Sequence, residues 1–561
     1  MSFIFLDIET TGLSPFFDQI KTVQFLTETG QTYIIHGKEL SNLRAYKSAF
    51  ENNVIVGHNL KFDTKFLKQQ YGINITHVYD TMLAEFAIKG GPASAETLKT
   101  REGRASNGNA LADLVYRYCG QIMDKSLQCS FRLGEELTQE QIEYCFNDLR
   151  YLPKIMAAQM AKIKEMKLES VIQTEMDMVP VTVWLELSGI YYDTAKLQEI
   201  TKKLQLQEKD LKYELYQMLG TSKLSLNSSQ AMIKALNSKK IPVTSCNKEE
   251  LSKFEHPIIS KLLEYKTTSH LISSFANKLP DYRNKRTGRI HADFFQYGTK
   301  SGRFSCKNPN LQQQPSRFKE WRTIFVASPG CKIVACDYSQ IELRILGEIA
   351  DEPEFIRAYN NGEDLHKLTA SKIFGKPLDQ VEKKERSIAK TVNFGLNYGM
   401  SSKGLQKKLK TDAGIEMSEE EAIATIVAFK KAYPKITLYM ERISRQGAET
   451  RELRNLAGRY LKIADESDDG AAGREAMNLP IQSLCADMVK ESLPAIFRTL
   501  EPLGVKFVNT IHDEVVFEVP EEHVALTETV IKEEMEKYGK KYMKKINCVA
   551  EVTTGDYWKK D

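Results

Sequence analysis

Three apolar, strand-like runs in this sequence carry carboxylates: FIFLDIET (3–10), KIVACD (332–337) and VNTIHDE (508–514). Successive strand side chains alternate faces, so Asp7 and Glu9, two apart, project from the same face. KIVACD runs directly into the helical pattern YSQIELRIL, which leaves Asp337 at a strand–helix junction. His512, Asp513 and Glu514 fall between two strand-like runs, the position of a hairpin turn. Apolar strands must be buried in sheets, and acids at their faces and ends are where side chains from distant segments can converge. The chain is therefore constrained to mixed helix-and-sheet architecture with acids on a strand face and at strand ends.

At 561 residues the chain exceeds one ordinary core, and two to four domains are expected. Its 42% hydrophobic and 27% charged residues are those of a globular protein. No apolar run approaches the ~20 residues needed to span a bilayer. The N-terminus MSFIFLDIETTGL lacks a signal peptide's basic region, long apolar core and cleavage site. Nine cysteines without a CxxC pair read as small buried residues in a reducing compartment. The expectation is an intracellular protein with no membrane partner, in cytoplasm, nucleoid, a host cell or an organelle. The net charge of +4 says little, because acidic metal sites can hide basic grooves in the sum. Basic residues do gather locally, at 281–295, 299–309 and 401–410.

Residues 1–165 read as an α/β domain, with strands at FIFLDI, TYIIHG and NNVIVGHN and helices at 110–120 and 139–158. A larger body spans 166–561 without an obvious linker, so the two are expected to pack together. Residues 195–220 form a long helical pattern ending in Gly, after which Asn227 or Ser228 is placed to cap another helix. No repeat or low-complexity tract is present.

Asp7 and Glu9 are followed by Asp63 in VGHNLKFD and by Tyr144 and Asp148 at i and i+4 on a helix face. Any one of these acids could be a surface or capping residue, but the ordered set asks for cations. Four gathered carboxylates repel unless neutralised, and hard oxygen ligands suit Mg²⁺ or Mn²⁺. Two such ions can activate a water and stabilise the leaving oxygen of a phosphodiester. Tyr144 is placed to orient that water. A second constellation is RSIAKTVNFGLNYG (386–399), where Arg386, Lys390, Phe394 and Tyr398 recur every four residues. On a helix each step advances about 400°, giving a stripe of two cations and two aromatics. Alone, that stripe fits an amphipathic helix equally well. Beside Asp337 and Asp513 it suits phosphoryl transfer from a nucleoside triphosphate.

The first ordered set resembles the DEDD-type 3′–5′ exonuclease domain, in the variant with Tyr in its last motif. The resemblance implies a ribonuclease H-like fold, with a single-stranded 3′ end held near Thr10, Leu13 and Asn59. The larger body resembles the family A DNA polymerases. The carrying segments are DYSQIE (337–342), the 386–399 stripe, HDE (512–514), TKSGRFSCKNPNLQQQP (299–315), DLHKLTASKIFG (364–375) and REAMNLPIQSLCADMVK (474–490). It implies a right-hand fold with palm, a thumb at about 195–290 and fingers at about 350–440. It implies a monomeric template-copying enzyme, taking primer–template DNA, dNTPs and two Mg²⁺ or Mn²⁺ ions at each active site. Asp337 and Asp513 would bind those ions, with Glu514 nearby. Arg386, Lys390 and His366 would meet the triphosphate, Phe394 the sugar and base, and Tyr398 the templating position. Gln340 would belong to the nucleotide site, and Glu342 would be the steric gate against ribonucleotides. Arg303, Asn310, Gln312, Arg474, Asn478, Gln482 and His512 would contact primer–template through backbone and minor groove, without reading sequence.

Two departures stand out. RNLAGRYLKI (454–463) lies where relatives often carry a more basic GRR-type run, which puts duplex contacts there in question. The chain also opens on the exonuclease strand, so no 5′-nuclease domain is expected in it. The competing readings are a single-subunit RNA polymerase, a free-standing exonuclease with an accessory body, and a non-catalytic DNA-binding protein on a polymerase fold. Glu342, Phe394 and a proofreading domain oppose the first; Asp337 and Asp513 oppose the second; intact acids at both sites oppose the third.

Overall fold

FIFLDIET forms strand β1 (Phe3–Thr10) in the computed structural model, which describes residues 1–92, 98–99, 105–106, 108–315, 318–396 and 398–559. Two units divide the chain. The first holds Met1–Ser188, Phe294–Cys306 and Val334–Thr553; the second holds Gly189–Asp293, Lys307–Ile333 and Thr554–Asp561.

In the first unit, β1 joins β2 (Ile20–Thr27), β3 (Thr32–His36), β4 (Val54–Gly57) and β5 (Val78–Asp80) in one sheet of order β3-β2-β1-β4-β5. The pairs β1–β2 and β2–β3 are antiparallel, and β1–β4 and β4–β5 are parallel. Ile4, Phe5, Leu6 and Ile8 are all buried, so β1 is covered on both faces, as a central strand must be. Helix α1 (Lys61–Tyr71) follows β4, and α2 (Gln139–Leu149) lies against β1 and β2. A capping box starts α2. Thr138 Oγ1 accepts from Gln141 N at 3.2 Å, and Gln141 Oε1 accepts from Thr138 N at 3.0 Å. The helical pattern over 139–158 proves to be two helices, because Pro153 opens a new one at Leu152–Glu165.

Helix α3 (Glu169–Ser188) is buried nearly all round and touches α1 and β5 on one side and the second sheet on the other. That sheet comprises β6 (Cys331–Tyr338), β7 (Lys506–Ile511), β8 (Glu514–Pro520) and β9 (Ala550–Gly555), in the order β7-β8-β6-β9. Trp184 anchors α3 there: its indole donates to Val505 O at 3.1 Å and its ring meets Phe497, Phe507 and Phe517 at 5.5–5.7 Å. Each such aromatic pair adds about 0.5–1.5 kcal/mol beyond burial. Further elements of this unit are α4 (Ile341–Ala350), α5 (Leu365–Phe374), α6 (Lys383–Leu396) and α7 (Asp469–Leu500).

A buried ionic cluster ties α3 to α7. Arg459, fully buried, contacts Glu175 of α3 at 2.6 Å and Asp487 of α7 at 2.5 Å, while Lys490 reaches Glu175 at 2.6 Å. The Arg459 guanidinium lies over the Tyr297 ring at 4.6 Å. Of the two arginines in RNLAGRYLKI, Arg459 is thus a core cation, whereas Arg454 is exposed.

The second unit has its own core, built from helices Thr194–Leu219, Ser229–Ser238 and Pro257–Leu271 around Leu211, Leu215, Met232, Leu236, Ile258 and Leu262. Ser228 is the residue that caps the middle helix, accepting from Ala231 N.

Candidate active sites

The register of the first sheet builds the first site. Asp7 pairs with Gln24 across β1 and β2, and Gln24 Nε2 donates to Asp7 Oδ2 at 2.7 Å. Thr22, opposite Glu9, fixes that amide by donating to Gln24 Oε1 at 2.8 Å. From α2, Tyr144 and Asp148 face inward, one turn apart. Carboxylate oxygens of Asp7, Glu9 and Asp148 come within 4.8 Å of one another. Asp63 sits in the first turn of α1, its Oδ1 accepting from Ile8 N at 3.0 Å, and it lies close enough for the Asp7 charge to act on it. These acids, with Thr10, Leu13 and Asn59, line one cleft of about 780 Å³. Leu13 stands 81% exposed at its rim, and Asn59 takes a left-handed φ of 60°.

Burial dominates the electrostatics. It pushes the Asp7 carboxyl up to about 7, with Asp148 adding repulsion, and Glu9 up to about 9, with Asp7 adding repulsion. Asp63 and Asp148 are raised for the same first reason. Lys125, outside every helix and strand, opposes the rise: its ammonium contacts Asp148 Oδ2 and lies 5.7 Å from the Tyr144 ring centroid. Asp148 Oδ1 and the Tyr144 hydroxyl are buried with no hydrogen-bond partner among the described residues. Orphaned oxygens beside repelling carboxylates fit a divalent cation and an ordered water. His58, which accepts or donates at Thr81 Oγ1 over 3.0 Å, is held neutral; burial and then Lys125 push it down to about 3.

The second site lies on the second sheet. Asp337 is at the end of β6, and His512 and Asp513 form the two-residue turn between β7 and β8, with His512 at φ 58°. Glu514 opens β8 and is buried. Cys485 of α7 lies among these groups. Burial first raises its thiol, and Asp513, Glu342 and Asp337 add to the rise against Arg303. Arg303 Nη2 pairs with Glu342 Oε1 at 2.7 Å, the Tyr398 hydroxyl donates to Glu342 Oε2 at 3.1 Å, and Gln482 Nε2 donates to Tyr398 at 3.3 Å. Arg474, Asn478 and Gln482 follow at four-residue steps along α7, Arg474 exposed and Asn478 buried. Gln340, at φ 50°, precedes α4 and accepts from the Tyr359 hydroxyl at 3.2 Å.

Arg386, Lys390 and Phe394 share one side of α6, the two cations exposed. Tyr398 does not continue that stripe as a helical residue. Helix α6 ends at Leu396, Tyr398 and Gly399 fold back with hydrogen bonds to Gly395 and Leu396, and Gly399 takes a left-handed φ of 63° that ends the helix. Arg386 reaches Asp364 at 2.7 Å. His366 is 4% exposed, bonded to Asn393 at 2.9 Å and 5.6 Å from the Phe394 ring, and burial pushes it down to about 4. Asn310 and Gln312 belong to the second unit, where Asn310 Oδ1 caps a one-turn helix by accepting from Gln312 N at 3.0 Å. Sequence reasoning missed Gln24 and Lys125. The alternation of β2 could have pointed to Gln24, whereas nothing periodic marks Lys125.

Two acidic clusters on two sheets, with Tyr398 just beyond the cationic helix α6 bonded to Glu342, suit a phosphoryl-transfer enzyme with a nuclease domain. Comparison with known proteins agrees. The DNA polymerase family A model matches residues 194–560, and the 3′–5′ exonuclease model matches residues 1–165. DNA polymerase I of Aquifex aeolicus is 30% identical, the alignment covering 100% of this chain and 96% of that one. DNA polymerase I of Pseudomonas aeruginosa is 31% identical over 93% of this chain and 60% of its own length; the thermostable enzyme of Thermus aquaticus is 32% identical over 69% and 48%. The POL domain of Pol1 from M. smegmatis, solved in complex with DNA primer-template and dNTP, superposes with a TM-score of 0.83 over 99% of this chain and 95% of that one, at 23% identity. The chain belongs to family A of the DNA polymerases, as a DNA-directed DNA polymerase with a 3′–5′ exonuclease domain built on a ribonuclease H-like fold. Both activities of this class depend on divalent metal. No helix among the described residues is long and apolar enough to cross a membrane.

Proposed function

We propose that the chain extends a primer at the Asp337–Asp513 site and removes misincorporated 3′ nucleotides at the Asp7–Glu9–Asp63–Asp148 site. The observation that carries this reading is the chain of contacts from Arg303 through Glu342 and Tyr398 to Gln482, which ties the strand–helix acid motif to the segment after α6 and to α7. In extension the primer 3′-oxygen attacks the α-phosphorus of a dNTP, and the bond to pyrophosphate breaks as the new phosphodiester forms. Two Mg²⁺ or Mn²⁺ ions, held by Asp337 and Asp513 with Glu514 beside them, would acidify the primer hydroxyl and neutralise the leaving pyrophosphate. Arg386 and Lys390 donate to the triphosphate, with His366 behind them as a neutral donor. Phe394 packs on the sugar and base, Gln340 lines the nucleotide site, Glu342 closes the space a 2′-hydroxyl would need, and Tyr398 stands by the templating base.

Arg303, Arg474, Asn478, Gln482, His512, Asn310 and Gln312 hold primer–template, which fits an enzyme that must accept every sequence. At the nuclease site Asp7, Glu9, Asp63 and Asp148 would hold two divalent ions that lower the pKa of a bound water, Tyr144 orients that water through its hydroxyl, and Thr10, Leu13 and Asn59 grip the single-stranded 3′ end. We assign the exonuclease domain to 1–165 and the polymerase domain to 166–561, with thumb at about 195–290, fingers at about 350–440 and palm the remainder; the protein acts as an intracellular monomer. A primer–template assay with and without dNTPs tests both activities at once, and preference for rNTPs over dNTPs would refute the polymerase assignment. Phe394→Tyr is expected to raise dideoxynucleotide incorporation relative to dNTPs in single-nucleotide extension; an unchanged ratio would remove Phe394 from the sugar pocket.

A further inference from the structure

Asp7, Glu9 and Asp148 bring their carboxylate oxygens within 4.8 Å of one another in a largely buried cluster, and the chain sets a cation of its own against them. Lys125 lies in the stretch between the helix Leu111–Cys119 and α2. That stretch walls the cleft with Lys125, Gln128, Cys129 and Phe131. It is tied to α2 where Gln141 Nε2 donates to Ser130 Oγ at 2.9 Å and to Ser130 O at 3.2 Å. Lys125 is therefore presented from a fixed base. Its ammonium takes Asp148 Oδ2, while Asp148 Oδ1 has no partner among the described residues. The lysine stem is 27% exposed, so the four-carbon chain has room to leave.

We propose that Lys125 is the built-in counter-ion of the exonuclease site, holding Asp148 in the cation-free protein and withdrawing from it when a divalent cation loads. The inference rests on the reading of Asp7, Glu9, Asp63 and Asp148 as cation ligands. An ammonium and a divalent ion on the same carboxylate oxygens repel each other strongly in so dry a site. The lysine therefore competes with the cation, yet keeps the acids from forcing the cleft apart before loading. The cost to the enzyme is weaker cation binding at this site than its ligands alone would support.

Two measurements on the full chain test this. In the wild type, acetic anhydride labelling followed by peptide mass analysis is expected to show Lys125 acetylated several-fold faster once Mn²⁺ is added, with exposed Lys285 unchanged as reference. Unchanged Lys125 reactivity with Mn²⁺ bound overturns the inference. In a background carrying Asp337→Asn and Asp513→Asn, Mn²⁺ binding is followed by electron paramagnetic resonance. Lys125→Met is expected to tighten binding about tenfold, the scale of one pKa unit of charge interaction, and Lys125→Arg to stay near the wild type. Equal affinity of the Met variant and the wild type overturns the inference alone. If Asp7→Asn with Glu9→Gln leaves Mn²⁺ binding undiminished, the ligand reading fails and carries the inference with it. Should Lys125→Met not fold, the labelling of the wild type decides.

Discussion

The two acidic sites are built in opposite ways. The proposed nuclease site is sunk in a cleft, its acids drawn from one strand, one helix start and one further helix, and held by Gln24 and Lys125. The proposed polymerase site stands at strand ends, Asp337 and Asp513 only partly covered, with its neighbouring charge already paired between Arg303 and Glu342. Burial therefore governs the first site, raising every acid in it, whereas position along two strands governs the second. On the proposed roles, a hydrolytic site for a frayed 3′ end tolerates a tight, repelling pocket, and a site for a duplex and a triphosphate keeps its acids more open at strand ends.

The comparison breaks first on separability. Asp513→Ala is expected to cut primer extension by about 10³-fold or more, the scale of losing a principal electrostatic element in phosphoryl transfer, and to spare 3′–5′ degradation. Asp7→Ala with Glu9→Ala should do the reverse in the same assay. Equal loss of both activities in either variant would mean the two sites are one.

The next effect lies on the cluster that joins the two halves of the first unit. Glu175→Ala leaves Arg459 and Lys490 buried without their shared partner, and denaturant unfolding should show a loss of about 3–5 kcal/mol. A loss under about 1 kcal/mol would mean water reaches the cluster.

Smaller is the pH dependence of the polymerase side. His366 has its folded pKa pushed down to about 4, below its ordinary 6.5, so the unfolded chain binds the extra proton between these values. Its contribution to stability is full above about 6.5 and is lost as pH falls toward 4, at up to about 1.4 kcal/mol per pH unit. His366→Gln should flatten that part of the stability profile in melts taken across this range. Smallest is Thr138→Ala, which removes the capping box of α2 and should cost about 1 kcal/mol, read as faster amide exchange in the helix that carries Tyr144 and Asp148.

Local pattern made much of this molecule legible. The alternation of FIFLDIET placed Asp7 and Glu9 on one face, the turn at His512–Asp513 followed from two flanking strand patterns, and Arg386, Lys390 and Phe394 share a helix side as their spacing requires. Two readings failed where a local signal was outweighed. The four-residue rhythm suggested that Tyr398 continues α6, but the left-handed turn at Gly399 ends the helix and hands the ring to Glu342 and Gln482. The pattern over 139–158 looked like one helix, and Pro153 made it two.

The sequence by itself determined the order of the acids, the periodicity that aims them, and the family. Strand and helix periods act over a few residues, so they can be read without knowing the fold. Only the tertiary structure decided that Lys125 enters the carboxylate cluster, that Gln24 braces Asp7, and that Arg459 is a core cation between Glu175 and Asp487. Those partners are 17 to 284 residues apart. No local period encodes such a meeting; it exists because a dry interior leaves each charge no other place to be neutralised.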